Sequence, residues 1–425
     1  ESYMNALSPV LQKMAAISLA VNELVEDLNS DVDEKGNPIR SKGPRKTYTT
    51  VNFGNSLSVL MRQFFSALNV ELTVDNALRS LDRGIKPVVV IDQTMEALMR
   101  ELSAEDGAAV IEEEGEERRT RPPTFSEALG VVLGRLTTMR MRQKGEDPVD
   151  IEIDHPGILT MKDDVAALID RYPVLSIATI DDIRAGIEAS GEWKADEISA
   201  RGMRVVDGSY TAMGKRDRNA IIADFNAGVL DAVVVTRAGS TGLSLHSSEK
   251  VKDQRQRIMI EHQIAQNVVE RVQFWGRVNR RGQVNEPLFA VATTGLSAEV
   301  RNLAMQNRKV EELSANVTGS SAAATAMDVP DMLDPLGNEC AKALLDERPA
   351  LADRMVIPMR VDREKAEEEL YFINKLMMRL PLLSVPEQDR LFADLQALYE
   401  DRSRDMIARG QSPRRVREVD GIWSV

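Results

Sequence analysis

Apolar side chains recur at helical intervals from Met4 through Leu11, Ala15, Ile17, Leu24 and Leu28, which predicts an amphipathic helix over 4–28. The polar stretch 29–50, broken by Gly36-Asn37-Pro38 and Gly43-Pro44, reads as an exposed loop. Helical spacing returns over 57–68 and 74–83, with Gly84 as a C-terminal stop. The run Lys86-Pro87-Val88-Val89-Val90-Ile91 is a short β-branched strand, and 94–102 resumes the helical period, completing a βα unit. Further helices are predicted over 125–141, 179–189 and 218–226, a loop over 147–156, and strands over 203–206, 232–236, 257–260 and 288–292. Strand, helix and strand in alternation predict a parallel sheet with right-handed crossovers. The expected fold class is α/β: one parallel-sheet lobe with helices on both faces, plus helical N- and C-terminal extensions.

Beyond the last strand, 299–313 is helical, the small-residue stretch 314–327 reads as a linker, and helices resume over 339–345, 363–380 and 387–409. The acidic run Glu112-Glu113-Glu114-Gly115-Glu116-Glu117, followed by Arg118, Arg119 and Arg121, marks 103–123 as a surface or disordered insertion. The basic residues near 411–419 fit a frayed tail better than a nucleic-acid contact. The expected organisation is therefore a helical lead-in and loop over 1–52, the sheet lobe over 53–298 with an insertion at about 103–157, and a helical region over 299–425 with a linker at about 314–330.

Composition narrows the class. A chain of 425 residues can bury a substantial core, and 43% hydrophobic with only 4% aromatic residues suits an Ala/Leu/Val-built α/β protein. A net charge of -13 excludes a polycation that coats nucleic acid indiscriminately, so any nucleic-acid path is local. The lone Cys340 excludes an internal disulfide framework, and His155, His246 and His262 lack metal-ligand spacing, so no metal site is expected. The apolar run 14–21 is too short to span a bilayer and follows no basic region. The expectation is an intracellular, cytoplasmic protein without membrane contact, and Glu1 in first place points to a processed or truncated product of a longer gene.

The most informative stretch is Gln273-Phe274-Trp275-Gly276-Arg277-Val278-Asn279-Arg280-Arg281-Gly282-Gln283. On a helix, Gln273, Arg277 and Arg280 fall within an arc of roughly 60°, while Ile264, Val268, Val272, Trp275 and Val278 cluster opposite. Such a segment buries an apolar stripe and aims two guanidiniums outward. A guanidinium pair suits a nucleotide's terminal phosphate or a nucleic-acid backbone, although a solvated basic face has the same pattern. Upstream, the strand 232–236 ends in Arg237-Ala238-Gly239-Ser240-Thr241-Gly242-Leu243, a small-residue loop. No G-x-x-x-x-G-K-[ST] phosphate loop occurs, since Gly214-Lys215 is followed by Arg216 and lacks the earlier glycine. Asp196-Glu197 reads as a chance acidic pair.

Together the two stretches resemble motifs V and VI of superfamily-two helicases and translocases, and every fixed position of the sixth pattern, Q-x-x-G-R-x-x-R-x-G-Q, is present. Phe64–Leu68, Val88–Ala97, Glu197–Arg201, Phe225–Gly228, Val251–Arg257 and Phe372–Leu376 are similar to successive landmarks of the strawberry notch-like helicases, including phage and bacterial members. The resemblance covers most of 50–425 and departs at Ala200 and Thr236.

This resemblance implies the second RecA-like lobe of an ATP-dependent helicase or translocase. ATP and Mg would be held mainly by a first lobe carrying the phosphate loop, on the same gene product or a separate chain. It assigns Arg277 and Arg280 to catalysis, Arg280 as the arginine finger, and Gln273, Gly239, Ser240 and Gly242 to nucleotide binding, although a tight structural turn explains the glycines equally well. Thr94, Ser199, Arg201, Thr236 and Arg237 match the positions that track nucleic acid, here DNA, without sequence readout. The alternative is a hydrolysis-deficient nucleic-acid-binding or assembly module derived from such a lobe.

Overall fold

The computed structural model describes residues 1–30, 46–92, 124–143, 145–206, 209–213, 217–237, 242–318 and 329–411. The acidic insertion, the basic tail, Thr94, Gly239 and Ser240 lie outside them. The chain divides into two compact units, one of residues 25–294 and one combining 1–24 with 295–425.

The first unit is built on five parallel strands: β2 (Lys86–Ile91), β5 (Ala195–Ile198), β8 (Ala232–Thr236), β9 (Arg257–Glu261) and β10 (Leu288–Val291), in the order β10-β9-β2-β8-β5. The central strands are apolar on both faces, as a sheet covered on both sides requires. Val88, Val90, Val233, Val235 and Met259 pack with Ile221 and Phe225 of α7 (Arg218–Ala227) and with Phe274 and Val278 of α8 (Val268–Val278). Val89, Ile91, Val234 and Ile260 pack with Ala77 and Leu81 of α3 (Val70–Asp82) and with Ile180, Ile183 and Ile187 of α6 (Thr179–Glu188).

One predicted strand is misplaced. Met203–Val206 is not in the parallel sheet; it forms β6 of an antiparallel hairpin with β7 (Ser209–Ala212). Its expected place is taken by Ala195–Ile198, a fully buried strand whose acidic pair disguises it. Those carboxylates are tolerated because Arg184 lies 3.9 Å from Asp196 and 3.4 Å from Glu197, and Arg201 also grips Glu197. A second antiparallel sheet, β1-β3-β4, was not expected: β1 (Lys46–Thr50) and β4 (Val149–Glu152) flank β3 (Thr138–Gln143) in stretches read as loop or helix. The helix predicted over 125–141 ends at Leu136, forming α4 (Phe125–Leu136), because alternation of side chains takes over from Thr138. Next in order come α2 (Phe53–Leu68), packed on α4 and α3, and α5 (Pro156–Ile169), packed on α4.

The second unit is helical. The N-terminal part of α1 (Ser2–Asn29) is tied to the segment before α14 (Val385–Ala408): Ser8 Oγ donates to the Leu382 carbonyl at 2.9 Å and Asn5 Oδ1 accepts from the Val385 amide at 2.8 Å. Between them lie α9 (Ser297–Thr318), which runs into the stretch read as a linker, α10 (Pro335–Glu347), α11 (Pro349–Arg354), α12 (Arg363–Glu368) and α13 (Tyr371–Arg379). Among the described residues, no helix is long and apolar enough to cross a membrane.

His262, at the end of β9, pins α2 and α3 to the sheet. Its ring is buried, with Nε2 3.0 Å from Ser66 Oγ and Nδ1 2.8 Å from Thr73 Oγ1. Two hydroxyls satisfy a neutral imidazole, one accepting and one donating. Burial pushes its pKa from 6.5 down to about 4. The unfolded chain therefore takes up a proton that the folded chain refuses, so stability is constant above pH 6.5 and is lost as pH falls from 6.5 towards 4. By pH 5 the expected loss from this group is about 2 kcal/mol. Denaturant unfolding at pH 7.5 and 5 measures it; His262→Gln is expected to lower stability at both values and to flatten the slope between them.

Candidate functional site

Helix α8 starts where Asn267 Oδ1 accepts the Val269 amide at 2.9 Å, and it runs back along the sheet between β9 and β10. Its first turn therefore lies at the edge where the strands end, and its last turn at the edge where they begin. The predicted apolar stripe is rotated. Arg271, Phe274, Arg277 and Val278 are buried, while Val269 and Val272 are 52% and 38% exposed. The reason is a paired cation that counting apolar residues cannot register. Arg271 donates to Glu261 at 2.7 and 3.2 Å, Trp275 Nε1 donates to the same carboxylate at 2.8 Å, and the Arg271 guanidinium lies 5.0 Å from the Trp275 ring centre.

The two motif arginines differ from Arg271 and from each other. Arg277 is 8% exposed, yet among the described residues its Nε has no partner and its Nη1 reaches only the Leu243 carbonyl, at 3.4 Å. Burial first, and then the charge of Arg280, lower its proton affinity. Arg280 is exposed and lies just past the helix end, not on it; its Nε donates to the Gly276 carbonyl at 2.7 Å, and its amide donates to Gln283 Oε1 at 3.0 Å. The expectation of two guanidiniums on one exposed flank is corrected to one exposed and one recessed. Among the described residues, neither has a carboxylate within 4.0 Å. Gln273 is exposed on α8. Gly242 has φ +77° and Gly282 φ +85°, conformations that favour glycine whatever else the loop does.

At the opposite edge, β8 ends in Thr236, whose buried Oγ1 has no partner among the described residues, and Arg237, whose exposed guanidinium is 3.0 Å from Glu270. Beside it, β5 leads to Ser199, which donates to Glu197 at 2.6 Å. Arg201 is turned inward. It is 6% exposed, with Nε 2.7 Å from Glu197 Oε1 and Nη1 2.6 Å from Asp181 Oδ2, and its Nη2 also bonds both carboxylates. Although burial opposes it, these bonds raise its proton affinity. Arg201 thus holds the Ser199 loop rather than offering a free guanidinium. The fold brings Ser199, Thr236 and Arg237 to one edge and Arg277 and Arg280 to the other.

Residues 180–417 match the family model described as the C-terminal domain on strawberry notch homologues. The chain belongs to this family. It is 27% identical over 182 residues to protein strawberry notch of Drosophila melanogaster, a match covering 40% of this chain and 11% of that protein. It is 24% identical over 190 residues to human strawberry notch homolog 2 (41% and 14%) and 24% identical over 209 residues to the Caenorhabditis elegans homolog (46% and 11%). The matches thus span only a small part of each of these relatives. The chain is a helicase-type C-terminal lobe.

What holds the arginine edge of this strawberry notch lobe is a buried ionic cluster that sequence reading missed. Lys86, at the start of β2, is fully buried; its Nζ donates to Asp253 at 2.6 Å and to the Phe225 carbonyl, and sits 4.2 Å from the Phe225 ring centre. Burial pushes Lys86 down to about 8, whereas bonds from Arg255 and Lys86 overcome burial to hold the Asp253 carboxyl well below its usual range. Arg257, starting β9, donates to the carbonyls of Leu245 at 3.1 Å, Arg255 at 2.6 Å and Asp253 at 2.7 Å. These bonds fix the returning segment 243–257. The Leu245 amide then meets the Arg277 carbonyl at 2.9 Å, and the Val284 amide meets the Ser247 carbonyl at 2.6 Å. The available signal was the pairing of Lys86 and Arg257 at two strand starts with Asp253 between the strands in sequence. Among the described residues, no group of three or more His, Cys, Asp or Glu side chains could hold a metal ion.

Proposed function

We propose that this lobe is the C-terminal half of an ATP-dependent nucleic-acid helicase or translocase motor. The observation that carries the reading is Arg277: a guanidinium largely shielded from water with no carboxylate beside it among the described residues, next to the exposed Arg280. A buried cation lacking a counter-charge is unfavourable alone and favourable once an anion arrives. The phosphates of ATP are such an anion, delivered by a phosphate-loop lobe that also supplies most of the Mg ligands. In this reading Arg277 binds and orients the phosphates, Arg280 reaches the terminal one, Gln273 contacts the nucleotide, and Gly242, with Gly239 and Ser240, lets the backbone approach it. Ser199, Thr236 and Arg237, with Thr94, follow the backbone of one strand, DNA in our reading, and Arg201 positions the Ser199 loop. The lobe spans about 53–298, between the lead-in and the helical C-terminal region. Backbone contacts imply affinity that falls steeply with salt and varies little with sequence.

The test is nucleic-acid-stimulated ATP turnover by the full-length protein. Lysine keeps charge but loses the bidentate fork. Arg277→Lys and Arg280→Lys are therefore each expected to lower turnover by at least about tenfold, the loss of one good hydrogen bond in the transition state. Wild-type turnover in both variants overturns the reading.

A further inference from the structure

The segment that returns from β8 carries one group that neither helicase-like stretch assigns: His246. It is partly buried, and Ser244 Oγ occupies its Nδ1 at 2.8 Å. The neighbouring backbone is fixed on both sides. Leu245 is held through its amide by the Arg277 carbonyl and through its carbonyl by Arg257, and Ser247 is held through its carbonyl by Val284 and through Oγ by the Gln254 carbonyl at 2.8 Å. The charged groups around the ring are Arg280, from the turn after α8, and Arg257, from β9. Arg257 is itself 3.7 Å from Asp253, so its charge is partly offset. A ring fixed at Nδ1, near an exposed guanidinium and with no partner for Nε2 among the described residues, leaves one ring nitrogen available to an anion, unlike the core histidine His262, whose two nitrogens are both taken.

Resting on the proposed function, we propose that His246 is a third phosphate-binding residue of this edge, its Nε2–H donating to an oxygen of the nucleotide's phosphates beside Arg277 and Arg280. Burial and then the two neighbouring arginines lower the proton affinity of the ring. Phosphate charge offsets those arginines, so nucleotide arrival favours proton uptake on the ring. Protonation and nucleotide binding then assist each other reciprocally.

The experiment is calorimetric titration of the full-length protein with MgADP at pH 7.5 and 5.5. Phosphate protonation of the nucleotide itself affects all variants alike, so the comparison between them isolates His246. If bound phosphate raises the proton affinity of the ring about tenfold, nucleotide affinity gains up to about tenfold from this group as pH falls. His246→Gln keeps a donor near the Nε2 position but cannot take up a proton. It is expected to stay within about threefold of wild type at pH 7.5 and to lose the extra gain at pH 5.5; His246→Ala is expected to bind more weakly at both values. Equal pH slopes in wild type and His246→Gln overturn the assignment and leave the proposed function standing. No nucleotide binding by the wild type at either pH overturns the reading beneath it as well.

Discussion

Replacing Arg280 with alanine is expected to reduce nucleic-acid-stimulated ATP turnover of the full-length protein by about 10³-fold or more, the range for removal of a charge that meets the transferred phosphoryl group. This corresponds to at least about 4 kcal/mol of lost transition-state stabilisation. The prediction is clean because Arg280 does little for the fold: it is exposed, lies beyond the helix end, and among the described residues its side chain holds only the Gly276 carbonyl, through Nε. Unfolding free energy should therefore change by no more than about 0.5 kcal/mol. Nucleotide affinity should fall only a few-fold, because Arg277 remains. Steady-state kinetics on the variant, with kcat and KM separated, check this together with a denaturant curve. Turnover within a few-fold of wild type removes Arg280 from the chemistry.

The second large effect is structural. Arg201→Ala is expected to destabilise the 25–294 unit by about 3–5 kcal/mol, because it leaves Asp181 buried without its cation and Glu197 with only the longer contact to Arg184 at 3.4 Å. Their side chains are 6% and 0% exposed, so water does not replace the lost partner. Arg201→Met combined with Asp181→Asn and Glu197→Gln should recover part of the loss by removing the stranded charges. Urea unfolding of the two variants provides the comparison. An Arg201→Ala protein as stable as wild type, with weakened nucleic-acid binding, would instead return Arg201 to a direct backbone contact.

Strand and helix periods made the parallel sheet legible, since β2 and β8 are uninterrupted β-branched runs and the helices between strands carry their own repeats. Apart from the exposed antiparallel sheet β1-β3-β4, what escaped depends on buried charge. Asp196 and Glu197 hid β5, because a local reading cannot know that Arg184 and Arg201 will meet them from other elements. Arg271 rotated the buried face of α8 for the same reason: its partner Glu261 lies on the preceding strand. Lys86 reads as a polar boundary residue and proves fully buried. The candidate arginines were visible by spacing, but their different exposure was not, since a helical wheel continues past Val278 where the backbone does not.

Helix α8 also behaves as a strut. Glu270, in its first turn, holds Arg237 at one rim of the sheet, and Arg277 stands about 10 Å further along the same rod, two turns on. An α-helix packed on a close-filled core transmits axial displacement with little give. The Arg237–Glu270 pair and Arg277 thus sit on one continuous rod, with no loop between them.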